Sequence, residues 1–227
     1  MTRQAASSAS TVLRTDTGEG DYLQFGCGLC APQGWRNFDA GPAFWLQQKL
    51  PFLRPALVKR GYPNYPRNIE YGDIIKGLPV MPGSAKAVYC SHVLEHMALE
   101  ELRAAIRNVY RYLQPGGIFR LVLPDLEYLA RNYIADERAD AASRFMEASH
   151  LGVKTQSRGL AGLPQMLFGR SRHWWMWDYK SLSEELHAAG FLRIRRAALG
   201  DSADLHFGDV EDPGRWENCL GIECSKP

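Results

Sequence analysis

The hydrophobic and polar positions of the chain predict short strands that alternate with helices. Short, mostly apolar runs predict the strands, and the first three of them lead into or end at glycine or aspartate. These runs cover residues 21–25, 35–39, 69–71, 85–90, 118–123, 191–197 and 219–224. The run 118–123 is apolar except for Arg120, as expected for a strand that is covered on both faces. Strands alternating with helices indicate a parallel sheet and the α/β fold class.

Helical periodicity is clearest over residues 99–113. Its apolar positions recur at the three-and-four spacing of a buried helix face, at Leu102, Ala105, Ile106, Val109 and Leu113. The run Gln114-Pro115-Gly116-Gly117 ends this helix, because proline cannot continue it and glycine accepts the turn. Further helices are predicted near residues 44–50, over 126–149 and over 181–189. The many prolines of the 41–68 segment predict mostly irregular structure there.

The composition restricts the class of protein. With 227 residues, 45% hydrophobic and 23% charged, the chain suits one globular domain, expected at residues 21–227 after a disordered tail at 1–20. A net charge of +2 disfavours a dedicated nucleic-acid binder, and no apolar run reaches the roughly 20 residues of a membrane span. Five cysteines, an odd number, favour a reducing, cytoplasmic setting over a disulfide framework.

A glycine turn, Phe25-Gly26-Cys27-Gly28, ends the first predicted strand. Glycine allows the backbone to adopt a positive φ and to approach a ligand closely. Residues 26–31 also fit the dinucleotide pattern G-x-G-x-x-G/A. Pro32 and Gly34 interrupt the helix that this pattern requires, and Asp39 follows after about a dozen residues rather than about 20. The spacing therefore disfavours a nicotinamide cofactor.

Two aspartates end the next two predicted strands. Asp39 ends the second strand, where a carboxylate can accept hydrogen bonds from both hydroxyls of a ribose. Asp73 ends the third strand and can meet an adenine amino group. Capping a turn is the alternative role of either carboxylate.

Four sequence blocks follow one another at successive strand ends: LQFGCG, GWRNFDAG, GDIIKGLPVMPGSAKAVYCSHVLEHM and VYRYLQPGGIFRLVLPDLEYL. Together they resemble the class I methyltransferases, and more narrowly the group known as methyltransferase type 11. The later block HWWMWDYKSLSEELHAAGF, with RIRRAALGDS, resembles the closing helix and strands of the same group.

The resemblance implies a Rossmann-like, mostly parallel sheet of seven strands, the last antiparallel, with helices on both faces and S-adenosylmethionine over the carboxyl ends of the strands. By position, the glycine turn would face the methionine part of this cofactor, Asp39 the ribose, and Asp73 with Ile74 the adenine. The full cofactor-binding set is Phe25, Gly26, Cys27, Gly28, Asp39, Asp73, Ile74, Ser91 and His92. One departure is that only residues 29–34 replace the usual helix between the first two strands, although a parallel crossover usually needs a dozen or more residues.

Methyl transfer to a hydroxyl requires a base that takes the hydroxyl proton. His92, just after the fourth predicted strand, is the first candidate, because its neutral form is available near pH 7. Asp125, after the fifth strand, and His173 are the next candidates. The alternative for each is a hydrogen-bonded structural residue.

The string His92-Val93-Leu94-Glu95-His96 also fits H-x-x-E-H, an inverted zinc-protease motif. On a helix the two histidines would share a face and could bind zinc, with Glu95 as base. Such a site still needs a third ligand and a helical setting, and the resembling group carries this string without metal. We therefore expect no metal.

The sequence thus predicts an S-adenosylmethionine-dependent methyltransferase that acts on a small molecule, with O-methylation of a sugar or secondary metabolite as the specific expectation. The aromatic segments 41–68 and 151–177 would form substrate-side or lid regions. The expected partner is a small-molecule acceptor, with no nucleic acid and no membrane, and a homodimer is left open. The alternatives are a catalytically degenerate methyltransferase-like scaffold protein and a zinc hydrolase using His92, Glu95 and His96.

Overall fold

The computed structural model describes residues 21–153 and 172–227, and its centre is a seven-stranded sheet in the order β3-β2-β1-β4-β5-β7-β6. The strands are β1 Asp21–Phe25, β2 Arg36–Asp39, β3 Ile69–Tyr71, β4 Ala85–Ser91, β5 Leu113–Pro124, β6 Leu192–Ala197 and β7 Cys219–Ser225. β1 to β5 pair in parallel, and β7 lies antiparallel between β5 and β6. The predicted Rossmann-like sheet is therefore confirmed. The predicted tail at 1–20, and residues 154–171 of the predicted lid segment, lie outside the described residues.

The helices are α1 Pro42–Lys49, α2 Arg54–Lys59, α3 Leu99–Tyr112, α4 Leu126–Ala135, α5 Ala141–Ala148, α6 Tyr179–Ala188 and α7 Pro213–Trp216. Short 3-10 helices cover Pro51–Leu53, Leu94–His96 and Leu205–Asp209. In the described part of the chain no helix is long and apolar enough to cross a bilayer.

Two helix predictions differ from the structure. The 41–68 segment is more helical than predicted, because Pro42, Pro51 and Pro55 occupy first turns, where the missing N–H removes no intrahelical bond. The single helix predicted over 126–149 is instead α4 and α5. Asp136 ends α4 and accepts hydrogen bonds from the backbone N–H and the guanidinium of Arg138.

The apolar stripe of α3 packs in the main core, as its periodicity predicts. Leu102, Ala105, Ile106 and Val109 are fully buried, together with side chains of β1, β4 and β5. Burying a leucine or isoleucine side chain contributes about 1.5–3 kcal/mol. This stripe therefore fixes α3 to one face of the central strands.

The crossover between β1 and β2 contains no helix, and side-chain amides hold it instead. Gln24 donates a hydrogen bond to the carbonyl of Cys30 (2.6 Å), and Asn37 donates to the carbonyls of Pro32 (3.0 Å) and Trp35 (2.9 Å). Both amides are buried in the sheet. They satisfy backbone groups that a helix would have satisfied internally, which allows residues 26–35 to join two parallel strands.

A segment near the carboxyl end of the chain covers the sheet face beside this crossover. It lies between β6 and β7 and includes the 3-10 helix Leu205–Asp209 and α7. A second apolar cluster joins it to the sheet through Trp35, Ala87, Tyr89, Val122, Phe207, Val210 and Trp216. No pattern in the sequence predicted this covering segment.

Arg120, in the middle of β5, attaches the 198–216 segment to the sheet. Its side chain is fully buried and donates to Glu211 (2.6 Å), Asp201 (2.9 Å) and Glu223 (3.0 Å). It also donates to the carbonyl of Ala198 (2.6 Å). Its guanidinium carbon lies 4.8 Å from the ring centre of Trp216, a cation–π distance.

We predict that Arg120→Met lowers the free energy of unfolding by about 3–5 kcal/mol, because the buried Glu211 loses its cation, whereas Asp201 and Glu223 keep Arg195. Urea unfolding measures this loss. Arg131→Ala is the control, because Arg131 pairs with Glu127 at the surface of α4, and its unfolding midpoint should match that of the native chain. A native midpoint for Arg120→Met would contradict the anchoring role of Arg120.

Candidate functional site

The carboxyl ends of β1 to β5 meet at one edge of the sheet, because these strands are parallel. Ligands of open α/β sheets bind outside this edge. It brings together the strand-end residues of the predicted site: Gly26, Gly28, Asp39, Asp73, Ser91, His92 and Asp125.

Asp39 connects the glycine turn of β1 to the end of β2. One carboxylate oxygen accepts the N–H of Gly28 (2.9 Å), and the other accepts the N–H of Gly41 (2.6 Å). Each oxygen retains a further lone pair for a ligand hydroxyl. Asp39 is thus both a structural bridge and an acceptor at the candidate site.

The two glycines of the turn differ in what surrounds them. Gly26 and Gly28 both have positive φ, 64° and 57°. A Cβ on Gly26 would overlap the side chain of Val93, whereas a Cβ on Gly28 would meet no atom within 4 Å. Gly26 therefore permits the segment after β4 to pack on the turn, and Gly28 presents open backbone.

Phe25 and Cys27 belong to the core. Phe25 is buried and stacks on Phe119, with ring centres 6.5 Å apart. Cys27 packs with Phe44 and Ile69. Burial, helped by the charge of Asp39, raises the pKa of the Cys27 thiol far above its usual value, so the thiol stays neutral. Both side chains therefore pack in the core beneath the glycine turn.

Asp73 and Ile74 form the turn after β3. One oxygen of Asp73 accepts the N–H of Ile75 (3.0 Å), and the other lies 3.4 Å from the ammonium of Lys76. Ile74 is buried in the main core. Asp73 is partly exposed and remains accessible at the edge of the sheet.

Ser91 and His92 are held by Arg215 of α7, a residue that the sequence analysis missed. Arg215 donates to the hydroxyl (2.8 Å) and the carbonyl (2.6 Å) of Ser91, and its own carbonyl lies 2.8 Å from Nε2 of His92. Nδ1 of His92 lies 3.3 Å from Oε1 of Glu95. Burial lowers the pKa of His92, but contacts with Cys219, Glu95 and the Arg215 carbonyl outweigh it and raise the pKa to about 10. His92 therefore carries a proton on both nitrogens, so the neutral form that a base requires is scarce near pH 7.

Asp125 is the N-cap of α4. One oxygen accepts the N–H of Glu127 (2.9 Å), and the other lies 3.3 Å from the guanidinium of Arg196. Both contacts stabilise the carboxylate at the end of β5. Helix capping and ion pairing thus account for its position at the sheet edge.

Glu95 lies at the centre of a group of histidines, which we name the Glu95 cluster: His92, Glu95, His96 and His173. The Glu95 side chain is 1% exposed, and neither of its oxygens has a hydrogen-bond partner among the described residues. Its Oε1 lies 3.9 Å from Nε2 of His96 and 4.0 Å from Nε2 of His173. The fold therefore brings His173, the third candidate base, close to residues 92–96.

His173 reaches the cluster because residues 172–175 pack on the 3-10 helix Leu94–His96. Trp174 donates its N–H to the carbonyl of Glu95 (2.8 Å), and the carbonyl of Arg172 lies 3.0 Å from Nδ1 of His96. Burial is the main cause that lowers the pKa of His173, so its imidazole is neutral near pH 7.

The zinc-hydrolase alternative requires His92 and His96 on one face of an α-helix. The structure has only the 3-10 helix Leu94–His96 there, with His92 outside it at φ 53°. Nε2 of His92 also points to the Arg215 carbonyl. The ligand geometry of that motif is therefore not formed.

Two cavities lie outside the predicted cofactor set. One of about 570 Å³ lies between α4 and α5, and one of about 410 Å³ borders Phe44, Arg54 and Tyr65 in the 41–68 segment. None of the nine predicted cofactor-binding residues lines either cavity. Of the aromatic residues near the Glu95 cluster, Trp174 is 67% exposed and Trp177 is buried.

The sequence matches a family model described as a methyltransferase domain over residues 3–194. Many solved structures resemble the chain, among them the following three. PigF with SAH is 18% identical over 92% of this chain and 51% of that chain, with a TM-score of 0.45. The S-adenosylmethionine-dependent methyltransferase SibL in its apo form is 16% identical over 94% and 52%, with a TM-score of 0.46. A SAM-dependent methyltransferase from Archaeoglobus fulgidus is 14% identical over 92% and 87%, with a TM-score of 0.47.

The chain spans about half the length of PigF and SibL. No curated protein matches the sequence significantly. Because the structural similarities are low, the family match alone bears on what the chain does.

The glycine turn gives a matched pair of variants. Gly28→Ala should cost about 1–2 kcal/mol, the strain of a side chain at positive φ. Gly26→Ala should cost about 1–3 kcal/mol more, because its Cβ also overlaps Val93, and Val93→Ala should recover part of this difference. Urea unfolding compares the variants. Equal losses for the two alanine variants would contradict the packing of Val93 on Gly26.

Proposed function

Because the chain belongs to the methyltransferase-domain family, we propose that it transfers the methyl group of S-adenosylmethionine to a hydroxyl of a small molecule, such as a sugar or a secondary metabolite. Family membership supports methyl transfer as the reaction, and the acceptor and the methylated atom are the more specific parts of the proposal. The observation that carries the proposal is the bridge from Asp39 to the N–H of Gly28 at the joined ends of β1 and β2.

The residues at this edge fit the cofactor. The open backbone at Gly28 leaves room for the methionine part, and a side chain there would occupy that space. Asp39 has one remaining lone pair on each oxygen, which suits the two hydroxyls of a ribose. Asp73 and Ile74, at the end of the neighbouring β3, would border the adenine.

S-adenosylmethionine, when bound, supplies a methyl group on a positively charged sulfur that is already a good leaving group. The residues of the chain therefore need mainly to align the acceptor and to exclude water. Correct alignment alone can lower a barrier by about 7–11 kcal/mol. Ser91 and His92, held rigidly by Arg215, would form the wall on the methyl-transfer side.

A residue of the Glu95 cluster would take the proton of the acceptor hydroxyl. Asp125 is engaged in capping α4, and His92 carries protons on both nitrogens. His173 is neutral near pH 7 and lies beside Glu95. Of the three predicted bases, His173 is thus the one whose protonation state suits proton removal.

The acceptor itself would lie against the aromatic segments. Trp174 is exposed immediately after His173, and the 41–68 segment contains the cavity beside Phe44 and Tyr65. An exposed indole can stack on the face of a ring or sugar. This arrangement supports a small-molecule acceptor with an apolar face and a hydroxyl.

Asp39→Asn should weaken S-adenosylhomocysteine binding by about tenfold or more, since a hydrogen bond to a charged group contributes about 1.5–3 kcal/mol. Calorimetric titration measures the affinity. Asp21→Asn is the matched control, because Asp21 begins β1 at the opposite end from the glycine turn. Its affinity should equal that of the native chain.

Equal affinities for the Asp39 and Asp21 variants would remove Asp39 from the ribose site. If a cooperatively folded native chain binds neither S-adenosylmethionine nor S-adenosylhomocysteine, the proposal as a whole fails.

A further inference from the structure

We propose that Glu95, His96 and His173 bind a divalent transition-metal ion, with Zn²⁺ as the ion that best fits their chemistry. One ligand atom from each of the three residues lies within 4.8 Å of the other two. Glu95 and His173 are buried and His96 is partly buried. The three ligands come from two distant parts of the chain that the fold brings together.

The strongest indication is the state of the Glu95 carboxylate. It is almost completely buried, and within residues 21–153 and 172–227 neither oxygen accepts a hydrogen bond. Burying a carboxylate is costly unless a cation or hydrogen bonds compensate its charge. The nearest positive group is His92, at 3.3 Å. The other two histidines lie no closer to Oε1 than 3.9 Å, and a metal ion held between them and Glu95 would compensate the buried charge directly.

The orientation of His96 suits a metal ligand. Its Nδ1 lies 3.0 Å from the carbonyl of Arg172, so Nδ1 carries the hydrogen and Nε2 has a free lone pair. That Nε2 is the atom facing Glu95. Metal-binding histidines almost always donate their other N–H to a carbonyl, a carboxylate or water.

The distances require only a small contraction. Nε2 of His96 and Nε2 of His173 lie 3.9 Å and 4.0 Å from Oε1 of Glu95. Ligands of tetrahedral zinc lie roughly 3.3 Å apart, given bonds of about 2.0–2.1 Å. The ligand atoms of His96 and His173 lie within 4.8 Å of each other, so all three separations would shorten when the metal ion binds.

The donor set discriminates between ions. Two imidazoles and one carboxylate match zinc sites with an open fourth position, whereas Mg²⁺ and Ca²⁺ prefer oxygen ligands throughout. His92 is outside the set, because its Nε2 faces the Arg215 carbonyl.

The site lies beside the predicted cofactor turn. Val93 packs against Gly26, and the 3-10 helix Leu94–His96 follows it directly. The open position can take a neutral oxygen ligand, either water or the acceptor hydroxyl. In the metal-bound chain His173 would be a ligand and not a base, and the metal ion would instead lower the pKa of the oxygen ligand that it holds. Only the assignment of the acceptor hydroxyl rests on the proposed function.

Calorimetric titration of the full chain with Zn²⁺ alone tests the proposal, using metal-free protein without a polyhistidine tag. The native chain should bind one Zn²⁺. Glu95→Gln and His173→Ala should each weaken binding by at least about tenfold, because losing even an outer partner of a metal ligand costs about 10–100-fold. His187→Ala is the matched control, since it removes one exposed histidine of α6, and its affinity should be native.

Thermal unfolding separates loss of the site from loss of the fold. Zn²⁺ should raise the melting temperature of the native chain and of His187→Ala, but not that of folded His173→Ala. No binding by the folded native chain, or equal binding by His173→Ala and His187→Ala, would overturn the metal site. Titrating S-adenosylhomocysteine into the same samples tests the proposed function separately.

Discussion

The buried guanidinium of Arg120 is the contact on which the arrangement of the candidate site depends. It lies in the middle of β5 and binds three carboxylates, two of which, Asp201 and Glu211, belong to the 198–216 segment. Breaking an ionic contact of this kind would leave a buried charge without its partner, which is strongly unfavourable. That segment carries Arg215, which in turn holds Ser91 and His92 at the end of β4. Through the 198–216 segment, the buried charge of Arg120 therefore helps to position Ser91 and His92 at the end of β4.

The short crossover between β1 and β2 has a related effect. Without a helix there, buried amides hold residues 26–35 close to the strands, and the 198–216 segment covers the adjacent sheet face. Asp39 can then reach the N–H of Gly28 directly. The same carboxylate that stabilises the turn also faces the space proposed for the ribose. The missing helix also explains why Asp39 follows the glycine turn sooner than the acidic residue of nicotinamide-binding proteins does.

Local patterns in the sequence predicted most of the sheet. β1 and β3 have the predicted bounds, and α3 follows the three-and-four spacing of its apolar residues. The apolar pattern that specifies each of these elements lies within the residues of the element itself. The prolines of the 41–68 segment were misinterpreted because a proline favours the first turn of a helix as much as it disfavours the interior. Arg120 was visible only as an exception in an apolar strand, since its partners lie 81 to 103 residues further along.

The residues of the candidate site that lie at strand ends could be predicted from the sequence. Gly26, Gly28, Asp39 and Asp73 all follow strands that the pattern located, although their roles toward a cofactor remain proposals. Arg215 and the approach of His173 to Glu95 depend on tertiary packing, which no local spacing reveals. The protonation of His92 is likewise a consequence of contacts made by folding.

A crystal structure of the full chain with S-adenosylhomocysteine would locate the proposed cofactor site. We expect density outside the carboxyl ends of β1 and β2, with the ribose hydroxyls at the Asp39 carboxylate and the homocysteine part over Gly28. Density for the ligand only in the cavity between α4 and α5, or elsewhere away from these strand ends, would contradict this placement.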